Sequence, residues 1–115
     1  MLVIATVLFA IAAVGGLVMA YIHFKQGRNP PVAIAALHGI LAATALLVLL
    51  WAVLQSGATS LVAWATGLFV VAALGGFFLV SYHLRGQRLP SPVVVIHALV
   101  AVAAFLLLLA GITAL

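Results

Sequence analysis

Read along the chain, the sequence is four long apolar runs separated by three short polar breaks. The runs cover roughly Leu2–Phe24, Val32–Leu54, Leu61–Leu84 and Pro92–Thr113. About 23 residues rising ~1.5 Å each extend ~34 Å, enough to cross a ~30 Å hydrocarbon layer with slight tilt. Backbone in hydrocarbon must hydrogen-bond to itself, so each run predicts a helix. The first run lacks a basic leader and is longer than the apolar part of a signal peptide, so it is expected to stay as a span. The breaks at 25–31 and 85–92 combine glycine, glutamine and proline, with Pro31 and Pro92 suited to opening the next helix. The middle break, 55–60, is polar but uncharged. The predicted architecture is all-α: one transmembrane four-helix bundle over 1–115, made of two tandem helical hairpins.

Composition narrows the chemistry. Of 115 residues 70% are hydrophobic and only 3% charged, against about a quarter charged in a soluble globule. There are no aspartates, glutamates or cysteines. That excludes a paired-carboxylate acid/base mechanism, an oxygen cage for calcium or magnesium, disulfides, thiolate ligands and iron–sulfur clusters. The high pI, near 11.0, comes from four cations: Lys25, Arg28, Arg85 and Arg88. All four lie in the first and third breaks, so they bear on membrane orientation and not on nucleic acid. The positive-inside rule places those loops in the cytoplasm, with both termini and the middle loop in the periplasm of a bacterial inner membrane. Trp51 and Trp64 flank the outer loop, and Tyr21 and Tyr82 sit near the inner surface, as interfacial aromatics do.

The two halves, 1–56 and 60–115, repeat at a spacing of 60 and, beyond a one-residue deletion in the second loop, 59. Ala12 to Gly16 aligns with Ala72 to Gly76, His23 with His83, Lys25 with Arg85 and Arg28 with Arg88. After the deletion His38 aligns with His97, Ala42 with Ala101 and Ala45 with Ala104. Both hairpins enter from the same side, so this is a parallel repeat about an axis along the membrane normal.

The four histidines fall one per helix in matching pairs. A single intramembrane histidine can serve as an interhelical hydrogen-bonding group. Four in symmetric register point to a site, because polar groups at depth are costly. His38 and His97 lie about 7–9 Å below the inner surface, and His23 and His83 end their helices at that surface. Gly16 and Gly76 precede His23 and His83 by two turns on the same face, where backbone can approach closely. Haem b suits this inventory. Imidazoles from His38 and His97, or from His23 and His83, take the iron; small residues make room for the macrocycle; Lys25, Arg28, Arg85 and Arg88 pair with the propionates. Here the chain, in segments such as Val95 to Phe105 with His97 near the start, resembles the ligand helices of small four-helix b-type membrane cytochromes, the cytochrome b561-like group. That resemblance implies bis-histidine haem and electron exchange with quinone or a redox partner protein.

Two departures follow from spacing. The outer leaflet has no histidine, so one chain lacks an evident electron path across the bilayer. Irons on the shallow and deep pairs would lie only ~7–8 Å apart in depth, less than a porphyrin's width. The expectation is one haem on the deep pair, with His23 and His83 near its propionates, or else two symmetry-related haems, each with one shallow and one deep ligand. Two other classes remain open. One is a copper or zinc site held by imidazoles. The other is a small structural or assembly subunit, homo-oligomeric or within a larger complex, with packing histidines.

Overall fold

The computed structural model describes residues 1–114. Four helices follow in order: α1 Leu2–Lys25, α2 Val32–Ser56, α3 Ser60–Leu84 and α4 Ser91–Thr113. All four are long and apolar enough to cross a membrane, and together they form a rod 42 Å long and 19 Å across. The helices begin and end within two residues of the apolar runs. α4 begins at Ser91 with Pro92 in its first turn, as expected, and Pro90 precedes the helix. Pro31 precedes α2 in the same way. Proline there has no N–H to lose, and its fixed φ suits helix entry. The Thr59 hydroxyl accepts from the Val62 backbone N–H at the start of α3. Gly57, at φ 74°, turns the chain out of α2 in a left-handed conformation that glycine adopts without a Cβ clash.

Each hairpin is the closely packed unit. α1 lies along α2 and α3 along α4 over most of their lengths, while α2–α3 and α1–α4 meet over shorter seams. This leaves α1 diagonal to α3 and α2 diagonal to α4. Burial follows the sequence repeat. Ala5, Thr6, Phe9 and Ala12 are buried with Ala65, Thr66, Phe69 and Ala72; Ala45 and Leu49 with Ala104 and Leu108; Ala52 with Gly111. Phe9 and Phe69 stack ring on ring, centroids 3.7 Å apart and planes 4° apart, on the pseudo-two-fold axis. The hydroxyls of Thr6 and Thr66 return to the carbonyls of Leu2 and Val62, each at 2.7 Å, so neither threonine strands its hydroxyl in the core.

Lipid tails are as apolar as leucine, so burial alone does not drive these helices together; close packing does. Gly111 is a point where packing leaves no slack. A Cβ there would meet Val62 Cγ2 at 2.7 Å and the Val62 backbone nitrogen at 3.3 Å, whereas one at Gly67 would meet nothing within 4 Å. Gly111→Ala is therefore expected to destabilise the bundle by about 1–3 kcal/mol, and Gly67→Ala to leave it unchanged or slightly firmer. Unfolding midpoints of the two variants in a detergent titration check this; equal midpoints would contradict the packing argument.

Candidate functional site

His38 on α2 and His97 on α4 face each other across the pseudo-two-fold axis, although their helices are diagonal. Their ring centroids lie 6.3 Å apart with planes at 80°. Each ring is fixed by the neighbouring helix of its own hairpin. His38 Nδ1 is 2.7 Å from the Ala12 carbonyl oxygen, and His97 Nδ1 is 2.8 Å from that of Ala72. A carbonyl only accepts, so both Nδ1 atoms carry the proton and donate, leaving Nε2 of each imidazole with a free lone pair. The same Nδ1–H to carbonyl bond sets tautomer and ring orientation in metal-ligating histidines.

The Gly-Gly pairs seat these rings. A Cβ at Gly16 would lie 3.2 Å from His38 Cε1, and one at Gly76 3.4 Å from His97 Cε1; Gly15 and Gly75 border the same two side chains. Spacing along α1 and α3 assigns Gly16 and Gly76 to the space for a macrocycle beside His23 and His83. The space over them is instead filled by the deeper imidazoles. Glycine is needed because the ring must come close enough to reach a carbonyl already inside a helix.

The shallow histidines do not join the pair, and they differ from each other. His23 is 1% exposed, so it is not the hydrated surface residue that its position at the helix end suggests. Its Nε2 lies 2.9 Å from Ser91 Oγ, and its Nδ1 is buried with no hydrogen-bond partner. Phe24 meets its ring edge-on at 4.7 Å. His83 is only half-buried. The residue matching Ser91 in the first repeat is Val32, so the second shallow histidine has no equivalent hydroxyl.

A clasp between the two cationic loops closes the His23 side. Asn29 donates to the Gln87 carbonyl at 2.7 Å and accepts from the Leu89 backbone N–H at 3.1 Å. The Arg88 guanidinium donates to the carbonyls of Gly27 at 2.8 Å and His23 at 3.1 Å. Arg88 is thus committed to backbone, while its repeat mate Arg28 reaches only Gln26 at the surface. Arg85 donates to the Ser81 carbonyl at 3.0 Å and lies over the Tyr82 ring. Lys25 is exposed. Lys25, Arg28 and Arg85 therefore form a cationic rim around the end of the bundle.

The structure thus brings together His38, His97, Gly16 and Gly76, and separately His23 with Arg88. Residues the sequence reading did not single out are Gly15, Gly75, the carbonyls of Ala12 and Ala72, Ser91 and Asn29. The first four sit inside the repeated Ala12–Gly16 block, where the signal was visible. Ser91 and Asn29 break the repeat, so symmetry concealed them. Among the described residues no group of three or more histidine, cysteine or carboxylate side chains gathers. Comparison with known proteins finds no family model, no curated protein and no solved structure that matches the chain.

Proposed function

We propose that this chain is a b-type haem protein of the membrane, an electron carrier or redox-complex subunit, with His38 and His97 as the two axial ligands of one haem. The observation that carries the reading is the facing pair of imidazoles, each with Nδ1–H tied to a helix carbonyl. Two imidazoles that share one metal, each ~2 Å from it through a ring nitrogen, have centroids about 6 Å apart, close to the 6.3 Å separation here.

The donor set fits haem better than a bare ion. Zinc takes four ligands, and this pair gains no third one from a chain without cysteine or carboxylate. Haem would bring four nitrogens of its own, and His38 and His97 would supply the two imidazoles that hold it. The cofactor supplies one-electron redox chemistry when bound. The chain's own residues do the rest. Ala12 and Ala72 hold the imidazole tautomers, and their hydrogen bonds make each Nε2 a stronger donor. Gly16 and Gly76 admit the rings, Ala45 and Ala104 keep the core narrow below them, and the Phe9–Phe69 stack closes the core toward the uncharged end.

The cationic loops belong in the cytoplasm by the positive-inside rule, with both termini outside. That orientation places the pair in the cytoplasmic leaflet, open to a donor or acceptor on that side: a quinone or a redox protein.

Protein purified in mild detergent after expression with haem supply is expected to be red. It should show a low-spin spectrum whose Soret band sharpens and shifts on dithionite reduction, with the haem extractable by acid-acetone because no cysteine attaches it. A folded, colourless protein that takes up no added haemin would rule the reading out.

A further inference from the structure

We infer that His23, oriented by Ser91, is a buried anchor for one of the haem carboxylates, and that the repeat-related His83 is not its equivalent. This rests on the haem reading above and adds a positioning role for a histidine outside the ligand pair.

The starting point is the unpartnered Nδ1 of a side chain only 1% exposed. Leaving a buried polar atom unsatisfied is costly, and such groups in a folded protein call for an explanation. The repeat supplies a control. His83 stands in the same register but is half-buried, and the position matching Ser91 holds Val32, which has no hydroxyl. Burial of His23 is therefore not a requirement of the two-fold fold. It goes with the Ser91 contact and with the Arg88 hydrogen bond to the His23 carbonyl, whereas Arg28, the repeat mate of Arg88, bonds to Gln26.

Position then selects the partner. His23 lies seven residues, about 10 Å along α1, from Gly16, and Gly16 borders His38. With ligands on α2 and α4, the other two corners of the bundle belong to α1 and α3. Haem is itself nearly two-fold about the line that passes between its two carboxylate arms. Aligning that line with the bundle axis sends both arms to one end, one toward α1 and the other toward α3. All four Lys/Arg side chains lie at one end, so the arms would turn to that end. The α1 arm would then lie toward His23 and the α3 arm toward His83.

The chemistry of the triad is consistent. In the tautomer in which the Ser91 hydroxyl donates to Nε2, at 2.9 Å, the proton stays on Nδ1 as a donor to a carboxylate. The Arg88 guanidinium on the His23 carbonyl adds positive charge nearby. A charge-assisted hydrogen bond in a dry site is worth more than one at the hydrated rim, so the two carboxylates are held unequally.

The test compares haem b with its dimethyl ester in titrations of haem-stripped full-length protein in detergent, followed by the Soret band. Four proteins are used: the natural sequence, His23→Phe, Ser91→Val and His83→Phe. His23→Phe is expected to weaken haem b binding about tenfold or more, with the low-spin spectrum retained. The ester is expected to bind the natural protein more weakly and to lose little further on His23→Phe, so that mutation and esterification are not additive. Ser91→Val should show the same pattern at smaller size, which keeps the test available if His23→Phe folds poorly. His83→Phe should change either affinity by less than about threefold. Low-spin haem b bound equally by the natural protein and His23→Phe, or equal losses at His23 and His83, would overturn the anchor while leaving the haem reading intact. Failure of the natural protein to form a low-spin complex would overturn the haem reading itself.

Discussion

Replacing either His38 or His97 by alanine is expected to abolish the low-spin haem spectrum. With one imidazole gone, the iron keeps a single axial protein ligand and a six-coordinate low-spin state is lost. The fold should survive. The Ala12 or Ala72 carbonyl that loses its imidazole donor still belongs to a helix, so the cost is one hydrogen bond of about 1 kcal/mol plus the cavity left behind. His23→Ala and His83→Ala should retain the low-spin state, because neither ring belongs to the facing pair. Pyridine haemochrome content and reduced spectra of the four variants decide the matter. Equal loss in all four would favour two haems with mixed shallow and deep ligands. Loss confined to His23→Ala and His83→Ala would show that the shallow pair holds the iron.

The second large effect is expected at the glycines. In Gly16→Val the added Cβ alone stands 3.2 Å from His38 Cε1, and the two methyls beyond it compete for the volume of the ring. The imidazole must then move off the Ala12 carbonyl, losing both its tautomer lock and its place opposite His97. Overpacking of this kind costs about 1–3 kcal/mol, so haem affinity should fall roughly 10- to 100-fold. Gly76→Val should act alike. Single-methyl variants should rank in order of contact, Gly16→Ala above Gly76→Ala, since the latter's Cβ sits at 3.4 Å. Gly39→Val is the control: a Cβ there meets nothing within 4 Å, even though the residue adjoins His38 in sequence. Haem titrations of these variants give the ranking, and an effect of Gly39→Val as large as that of Gly16→Val would remove the steric argument.

The spans, their punctuation and the internal repeat were legible because each rests on a local signal: run length, turn residues, or identity at a fixed spacing. The inward face of each helix was harder to see. In a bilayer the lipid-facing side is as apolar as the core, so these helices are hydrophobic all round and carry almost no periodic contrast. Leu54 and Leu84, each 80% exposed, read in sequence like Leu49 and Leu108, which are fully buried. Only histidine, glycine and alanine marked the inner face, and they did so correctly for His38 and His97. The reading failed on who fills the space over Gly16 and Gly76, because spacing within α1 and α3 does not say which residue of α2 or α4 arrives opposite. It failed again at His23. Depth from the end of a helix suggests hydration there, but Arg88 and Ser91, 65 and 68 residues away at the entry to α4, meet it instead. Such coverage depends on where the loops cross, and no run of residues encodes that locally.

The depth of the His38–His97 pair has an electrical consequence. His38 stands six residues into a helix of 25, about 9 Å from the cationic end of a span of ~37 Å. An electron entering the proposed haem from that end would cross about a quarter of the bilayer's voltage drop. The full drop is worth ~2.3 kcal/mol per charge at 100 mV, so this step is worth roughly 0.6 kcal/mol, less than a threefold change in an equilibrium constant. Electron exchange with a partner on the cationic side should thus be almost indifferent to whether the membrane is energised, while passage onward to the far surface would face the remaining three quarters of the field.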